Sequence, residues 1–370
     1  MKKILIVISE LSLGGTEKQL KNIISELCNE ELFEFNVVTL ISKGNYYSEF
    51  EKIKNLKVQN LFNLKNKNFI IKYFFALLSI ISLTRFIIKK QPDIIHFYLP
   101  TSYLIGASTI FFYNKNIKYI MSRRSLNKYQ KKYFLVKKYE QYLHNKMHLI
   151  TGNCQAIISE LELENVEVKK LKKIFNGIKI SSDVRERITK KNKINMILLA
   201  NYIPYKGHKF LIDSFNELDE KYKQRLNIRF YGQLNNYSNF LKSYIDSKEL
   251  SKFIYINPHC LNVSKYIKEC DIGISTSSEE GLSNSIMEFM NFNMPVIATD
   301  VGGTNELVYN NFNGLLVQYG DINSLKLALE YYLNNIDFIS IHGNNSKKIL
   351  QKNFDINNCI KAHKKIYLEL

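Results

Sequence analysis

A chain of 370 residues, 45% hydrophobic and 13% aromatic, is long enough for two ordinary domains, each with its own core. Its formal charge of +18, carried by 45 lysines and only seven arginines, reflects either a lysine-rich compositional bias or an attraction to anionic surfaces. Five cysteines (Cys28, Cys154, Cys260, Cys270 and Cys359) form no C-x-x-C pair, which excludes zinc-finger spacing and reads as reduced cytosolic thiols.

The chain opens on Met1-Lys-Lys-Ile-Leu-Ile-Val-Ile, whose apolar run is too short for a signal peptide, so a strand is predicted over 4–8. Gly14-Gly15-Thr16-Glu17 then opens a helix over 18–29. Glycines there let a backbone approach a ligand, but the spacing is not the G-x-G-x-x-G of dinucleotide sites. Strands follow at 35–41 and 58–61. Residues 69–88 are nearly all apolar over a length able to span a bilayer, yet Lys72 and Arg85 interrupt them and Pro92 breaks the run. A helix packed on a parallel sheet is the favoured reading. Strand 93–98, helix 101–113, strand 118–122, helix 129–145 and strands 149–153 and 173–175 complete a βαβ alternation, which implies a parallel, doubly wound sheet. His96 and Tyr98 stand near the carboxyl end of a strand, where ligands of open sheets bind. A satisfied core histidine fits the same position.

From Arg123 to Lys146 there are eight basic residues, one acid (Glu140) and five aromatics. As a helix this run is basic and amphipathic, a pattern suited to an anionic membrane surface. A solvated face or an RNA surface fits it too, but no RNA-binding signature accompanies it and no nucleic acid is expected.

Residues 179–192 are polar and read as a linker. A second βα series has strands at 195–201, 228–231, 253–256, 272–276, 296–299 and 314–317, and a helix over 354–370. Lys206-Gly207-His208 follows the first of these strands, where a lysine can meet a diphosphate as a point charge. Glu280-Gly-Leu-Ser-Asn-Ser-Ile-Met-Glu288 joins a strand to a helix. Its turn aims free N–H groups and the helix dipole at one spot suited to phosphate, and its carboxylates can accept hydrogen bonds from sugar hydroxyls. An ordinary βα turn with solvated glutamates has the same spacing. The segment continues as Met294-Pro-Val-Ile-Ala-Thr-Asp300-Val-Gly-Gly303-Thr-Asn-Glu306.

These segments together resemble the C-terminal signature of the retaining GT-B glycosyltransferases of family 4, the glycosyl transferases group 1. The resemblance spans most of the chain and is strongest over 200–317. It implies an α/β GT-B fold of two Rossmann-like, doubly wound parallel-sheet domains facing across a cleft. Residues 1–185 would form the acceptor side, 193–350 the nucleotide-sugar side, and 351–370 a helix returning to the N-terminal domain. The implied activity is hexosyl transfer from a nucleotide-diphosphate sugar, a UDP-sugar being favoured, to a glycan or lipid-linked acceptor. It would proceed with retention, in cell-surface polysaccharide or glycoconjugate synthesis.

Carried over to this sequence, Glu280, Lys206 and His96 form the catalytic set. Glu288 holds the ribose, Gly281, Leu282, Ser283 and Asn284 meet the sugar and β-phosphate, and Gly14, Gly15 and Asn201 complete the donor site. Arg123, Arg124 and Tyr98 serve the acceptor or the membrane, with residues 123–146 holding a cytoplasmic enzyme on the inner face of the cell membrane. No cofactor and no metal are expected, since no Asp-x-Asp occurs. Two positions depart from the family pattern. No arginine precedes Lys206, where Asn201, Tyr202 and Ile203 stand, and Tyr98 occupies the place of a second histidine. A sugar-nucleotide epimerase of the same two-lobed fold, or a non-enzymatic basic protein binding RNA or membrane, are the alternatives.

Overall fold

In the computed structural model, which describes residues 1–12, 14–62, 69–113, 116–126, 133–182, 193–260 and 262–370, the apolar runs form two parallel sheets. The first contains β1 (Lys2–Ile8), β2 (Phe33–Thr39), β3 (Lys57–Asn60), β4 (Ile94–Tyr98), β5 (Lys118–Arg123), β6 (Leu149–Gly152) and β7 (Leu171–Lys173), in the order β3-β2-β1-β4-β5-β6-β7. The second contains β8 (Ile194–Leu199), β9 (Leu226–Gly232), β10 (Ile254–Pro258), β11 (Ile272–Ser275), β12 (Val296–Thr299) and β13 (Gly314–Val317), in the order β10-β9-β8-β11-β12-β13. Both faces of each sheet are covered, so central strands are apolar without alternation. In β1, Ile4, Leu5, Ile6, Val7 and Ile8 are all fully buried. Truncating one, as in Ile6→Ala, would cost about 2–5 kcal/mol.

The strand order reverses between β1 and β4 in one sheet and between β8 and β11 in the other. At such a switch point the flanking crossovers diverge and leave a crevice beyond the strands' carboxyl ends.

The chain divides into two compact units, Met1–Gly177 with Ile356–Leu370, and Ile178–Asp355. The boundary precedes residue 185 because the start of the expected linker is tied to the second unit. There the Ser181 N–H donates to Asn291 Oδ1 (3.0 Å) and Lys347 Nζ donates to the Ser181 carbonyl (2.8 Å). Residues 183–192 lie outside the described residues. At the other end, helix Asp337–Asn353 belongs to the second unit and helix Ile356–Glu369 to the first. On the first unit the Tyr367 ring meets Phe33 and Phe35 (centroids 6.0 and 5.9 Å), and Lys2 Nζ donates to the Tyr367 carbonyl (3.1 Å).

The helix expected over 101–113 is Pro100–Gly106 followed by a tighter 3₁₀ turn, Ala107–Phe111. Ser108 and Thr109 hydroxyls donate to the carbonyls of Leu104 and Gly106 (both 2.7 Å), competing with the helical amides for those acceptors. The helix expected over 129–145 is observed as Phe134–Lys146, and residues 127–132 lie outside the described residues. The apolar run becomes helix Phe69–Lys90, which buries Leu83, Phe86 and Ile87. Among the described residues, no helix is long and apolar enough to cross a membrane.

Candidate functional site

The second unit gathers charged side chains at its switch point. β8 runs into a short turn, Pro204–Lys206, and β11 into the loop 276–283 that opens helix Asn284–Asn291. Lys206 Nζ donates to Glu280 Oε1 at 2.6 Å, and Ser277 Oγ donates to the same oxygen at 2.8 Å. Both charged side chains are mostly buried, with 19% and 14% of their surface exposed. Burial alone would lower the Lys206 pKa, but the charge of Glu280 outweighs it and holds the ammonium above its ordinary range. The Tyr205 ring lies 5.0 Å from Lys206 Nζ and adds a cation–π contact.

Glycines make this convergence possible. Gly207 has φ +72°, and a Cβ there would overlap the Thr276 carbonyl oxygen. Gly302 has φ +56°, and a Cβ there would overlap the Glu280 carbonyl oxygen. Both positions need a residue at home in the left-handed region and without a side chain. The loops are then stitched together. The Ser278 N–H donates to the Tyr205 carbonyl (2.8 Å), Thr299 Oγ1 to the Ser277 carbonyl (2.6 Å), and the Gly303 N–H to the Gly281 carbonyl (3.1 Å). Asp300-Val-Gly-Gly303 thus props up the loop that carries Glu280.

Helix Asn284–Asn291 begins at this loop, and Ser283, its N-cap, makes no side-chain cap bond. Its first N–H groups and the positive end of its dipole therefore join Lys206 as positive charge. Glu288 is partly exposed, one turn beyond the partly exposed Asn284, so both share a helix face. Gly281, Leu282 and Ser283 are buried, so the turn offers its backbone rather than the Leu282 side chain. Asn201 is exposed at the end of β8, where its Oδ1 accepts from the Gln233 N–H (3.3 Å). Tyr202 does not stand in for the missing arginine: it is buried and its hydroxyl donates to the Asn257 carbonyl (2.8 Å).

Sequence reading missed Ser277, Tyr205 and Cys260. Cys260 is partly exposed just beyond β10, and burial together with the charge of Glu288 raises its thiol pKa. The only signal for Ser277 was the polar run Thr276-Ser277-Ser278 directly after an apolar strand.

The first-unit candidates are dispersed. Gly14 precedes helix Gly15–Leu27 at the end of β1, and a Cβ there would strike the Glu17 carboxylate folded back over it. Burial, with a smaller contribution from nearby Glu10, pushes Glu17 up to about 7. His96 is corrected from catalytic residue to core residue. It is fully buried, with Nδ1 bonded to the Tyr367 hydroxyl (2.8 Å) and Nε2 to Ser122 Oγ (2.7 Å). Burial, with His363 and Arg124 nearby, holds its imidazole well below the ordinary pKa, hence neutral. Tyr98 is also buried and cannot offer its hydroxyl to an acceptor; the Arg124 guanidinium lies over its ring (5.5 Å) and donates to Asn176 Oδ1 (2.6 Å).

Arg123 is corrected from surface residue to buried charge. Its guanidinium donates to both oxygens of Glu164 (2.8 and 2.7 Å) and to Glu140 (3.0 Å), and His144 Nε2 lies 3.0 Å from Glu164. Tyr103 closes the network, its hydroxyl meeting His144 Nδ1 (2.8 Å). A tautomer with its proton on Nε2 satisfies both contacts of His144.

Residues 181–349, which contain Lys206, Glu280 and Glu288, match the family model described as glycosyl transferases group 1. An uncharacterised glycosyltransferase of Methanocaldococcus jannaschii is 27% identical over 199 residues, covering 53% of each chain. The capsular polysaccharide biosynthesis glycosyltransferase CapH of Staphylococcus aureus is 22% identical over 315 residues, covering 83% of this chain and 84% of its own. The chain is a glycosyltransferase. The glycosyltransferase also has the GT-B fold of two parallel-sheet α/β units. It superposes on the solved structure of Anabaena Alr3699/HepE in complex with UDP-glucose with a TM-score of 0.83, at 17% identity over the whole of both chains.

Proposed function

We propose that this glycosyltransferase moves a sugar from a nucleoside-diphosphate sugar to a glycan or lipid-linked acceptor, with retention of anomeric configuration. The product would be a cell-surface polysaccharide or glycoconjugate. The observation that carries this reading is the Lys206–Glu280 pair beside the N-terminus of helix Asn284–Asn291, at the switch point of the second sheet. Positive charge concentrated there matches the charge that grows on a departing diphosphate. The carboxylates of Glu280 and Glu288 match hydroxyls on the sugar and the ribose. That the Anabaena structure holds UDP-glucose favours a UDP-sugar, and CapH favours a capsular type of product.

In the reaction, the bond between the anomeric carbon and the diphosphate oxygen breaks. Lys206 and the N–H groups of the 281–284 turn take up the charge of the leaving group. The acceptor hydroxyl forms its bond to the anomeric carbon from the same face, and its proton passes to the departing phosphate oxygen. Glu280 holds a donor-sugar hydroxyl and keeps Lys206 charged in the meantime. This reading assigns no step to a metal ion.

The test is donor hydrolysis and transfer by Lys206→Ala and Glu288→Ala, alongside a thermal-shift screen of nucleotide sugars. Lys206→Ala is expected to lose about 10²–10³ in kcat, as when one preorganised charge partner of a developing anion is removed. Glu288→Ala is expected to act mainly on donor KM. Wild-type rates in both variants, or an epimerised donor in place of a transferred sugar, would refute the assignment.

A further inference from the structure

The run of basic and aromatic residues that ends at Lys146 does not lie on the surface as a uniformly exposed helix. Arg123 is buried, and it draws Glu140, the one acid of helix Phe134–Lys146, inward with it. The outer face is left with cations and apolar groups. Leu135 is 80% exposed and Phe134 64%, and Tyr133, Tyr139 and Tyr142 are exposed beside them. Lys138 and Lys146 are exposed too, with their ammonium groups over the rings of Phe134 (4.7 Å) and Tyr142 (5.4 Å).

This face extends beyond the helix. Phe111 is exposed at the end of the 3₁₀ turn and stacks on Tyr142 (centroids 6.0 Å), while Ser108 and Tyr139 join their hydroxyls at 2.5 Å. Phe112, the next residue, is 69% exposed. Two elements distant in sequence are thus fastened into one surface of exposed aromatic and leucine side chains with lysines among them. A single exposed phenylalanine is ordinary, but a joined set of this size marks a contact surface.

We infer that this face, formed by Phe111, Phe112, Phe134, Leu135, Lys138 and Lys146, seats the first unit on an anionic phospholipid bilayer. Charge and chemistry together choose that occupant. The exposed side chains of the helix carry no carboxylate, so nothing opposes a negative surface. Lysines that reach over aromatic rings keep their heads at the phosphates while the rings enter the headgroup layer. Apolar burial and attraction to anionic lipid then add, as in helices that lie in the plane of an interface. The face belongs to the first unit and the donor site to the second, so the inference does not depend on the sugar transferred.

Sedimentation of the full chain with vesicles tests it, comparing pure phosphatidylcholine with mixtures rich in phosphatidylglycerol. Wild-type protein is expected to bind the anionic vesicles, with a salt-sensitive affinity, and to leave the neutral ones. Phe112→Ser/Phe134→Ser/Leu135→Ser is expected to bind about a hundredfold more weakly, since each side chain buried in the headgroup layer contributes about tenfold or less. Lys138→Gln/Lys146→Gln should lose about tenfold on anionic vesicles alone. All of these side chains are exposed, so the melting temperature and donor hydrolysis in solution should stay unchanged. Equal binding by the triple variant, or no preference for anionic lipid, overturns the inference. So does concentration-dependent self-association that the triple variant abolishes without any vesicle binding, which would make the face a contact between copies of this chain.

Discussion

Replacing Arg123 with methionine should expose how much charge the first unit holds in its interior. The substitution preserves much of the side-chain volume but leaves Glu140 and Glu164 buried without their guanidinium. In the native protein burial would raise the Glu164 pKa, but hydrogen bonds from His144 and Arg123, with the charge of Arg123, outweigh it and hold the carboxyl at about 2 instead of about 4.5. At about 1.4 kcal/mol per pKa unit, that depression corresponds to about 3 kcal/mol of stability for this one group. Breaking a buried ion pair from one side costs about 3–5 kcal/mol, so the two routes agree. The expected loss at pH 7 is therefore about 3–5 kcal/mol.

The sign of the pH dependence makes the test sharper. With Arg123 present, the Glu164 contribution is complete above about pH 4.5 and fades as the pH falls toward about 2. Without Arg123, the buried Glu164 carboxyl lacks the guanidinium, so its pKa rises and protonation relieves the burial cost. The gap between wild type and variant should therefore narrow between pH 7 and pH 5. The double variant Arg123→Met/Glu164→Gln should recover part of the loss at pH 7. Urea unfolding followed by circular dichroism suits a chain without tryptophan. A deficit below about 1 kcal/mol at pH 7, or one that widens toward pH 5, would refute the reasoning.

Other outcomes follow from the same geometry. Gly302→Ala should lower transfer at least about tenfold with little change in the first unit, because the added Cβ displaces the Glu280 carbonyl and with it the loop; an unchanged rate would count against that propping role. His96→Gln should destabilise the first unit by about 1–3 kcal/mol while kcat in the folded protein stays within about threefold, and a collapse of kcat without loss of stability would restore His96 to the chemistry. Burial also depresses His363 to about 3 and His208 to about 4. These imidazoles, with His96, stay neutral in the fold and gain protons on unfolding, so stability should fall as pH drops below about 6.5, by about 1.4 kcal/mol per pH unit for each. A flat profile between pH 6.5 and about pH 5 would contradict this. Excess EDTA should leave transfer within about twofold of its untreated rate if Lys206 and the helix terminus carry the leaving-group charge; a loss restored by magnesium would not fit.

The strands, their parallel order of appearance and the 280–306 segment were legible because each depends on short-range pattern. An apolar run bounded by polar loops reads as a strand whatever surrounds it, and the glycines at 207 and 302 mark turns that other residues cannot make. Side-chain direction was not legible. Residues 94–98 are all buried, so β4 has no polar face from which to tell where His96 or Tyr98 points. Arg123 looked like a membrane contact because its partners are remote in sequence: Glu140 lies 17 residues on and Glu164 lies 41 residues on. Phe111 and Phe112 drew no notice, since their exposure follows from a helix that tightens at Ser108 and Thr109 rather than from any periodicity.

The first unit is assembled from the two extremes of the chain, and this has a consequence for how the protein comes into being. β1 through β7 leave the ribosome before the second unit, but helix Ile356–Glu369, which covers Phe35 and completes the hydrogen bonds of His96, is made after it. At about 5–20 residues per second, the intervening residues 178–355 take roughly 10–40 s to synthesise. During that interval the second unit emerges as one continuous sequence, while the earlier sheet waits with an apolar strip exposed and with His96 lacking its Tyr367 partner. The half of the protein that is translated first is therefore the half that matures last, and it is the one a nascent-chain chaperone has reason to hold.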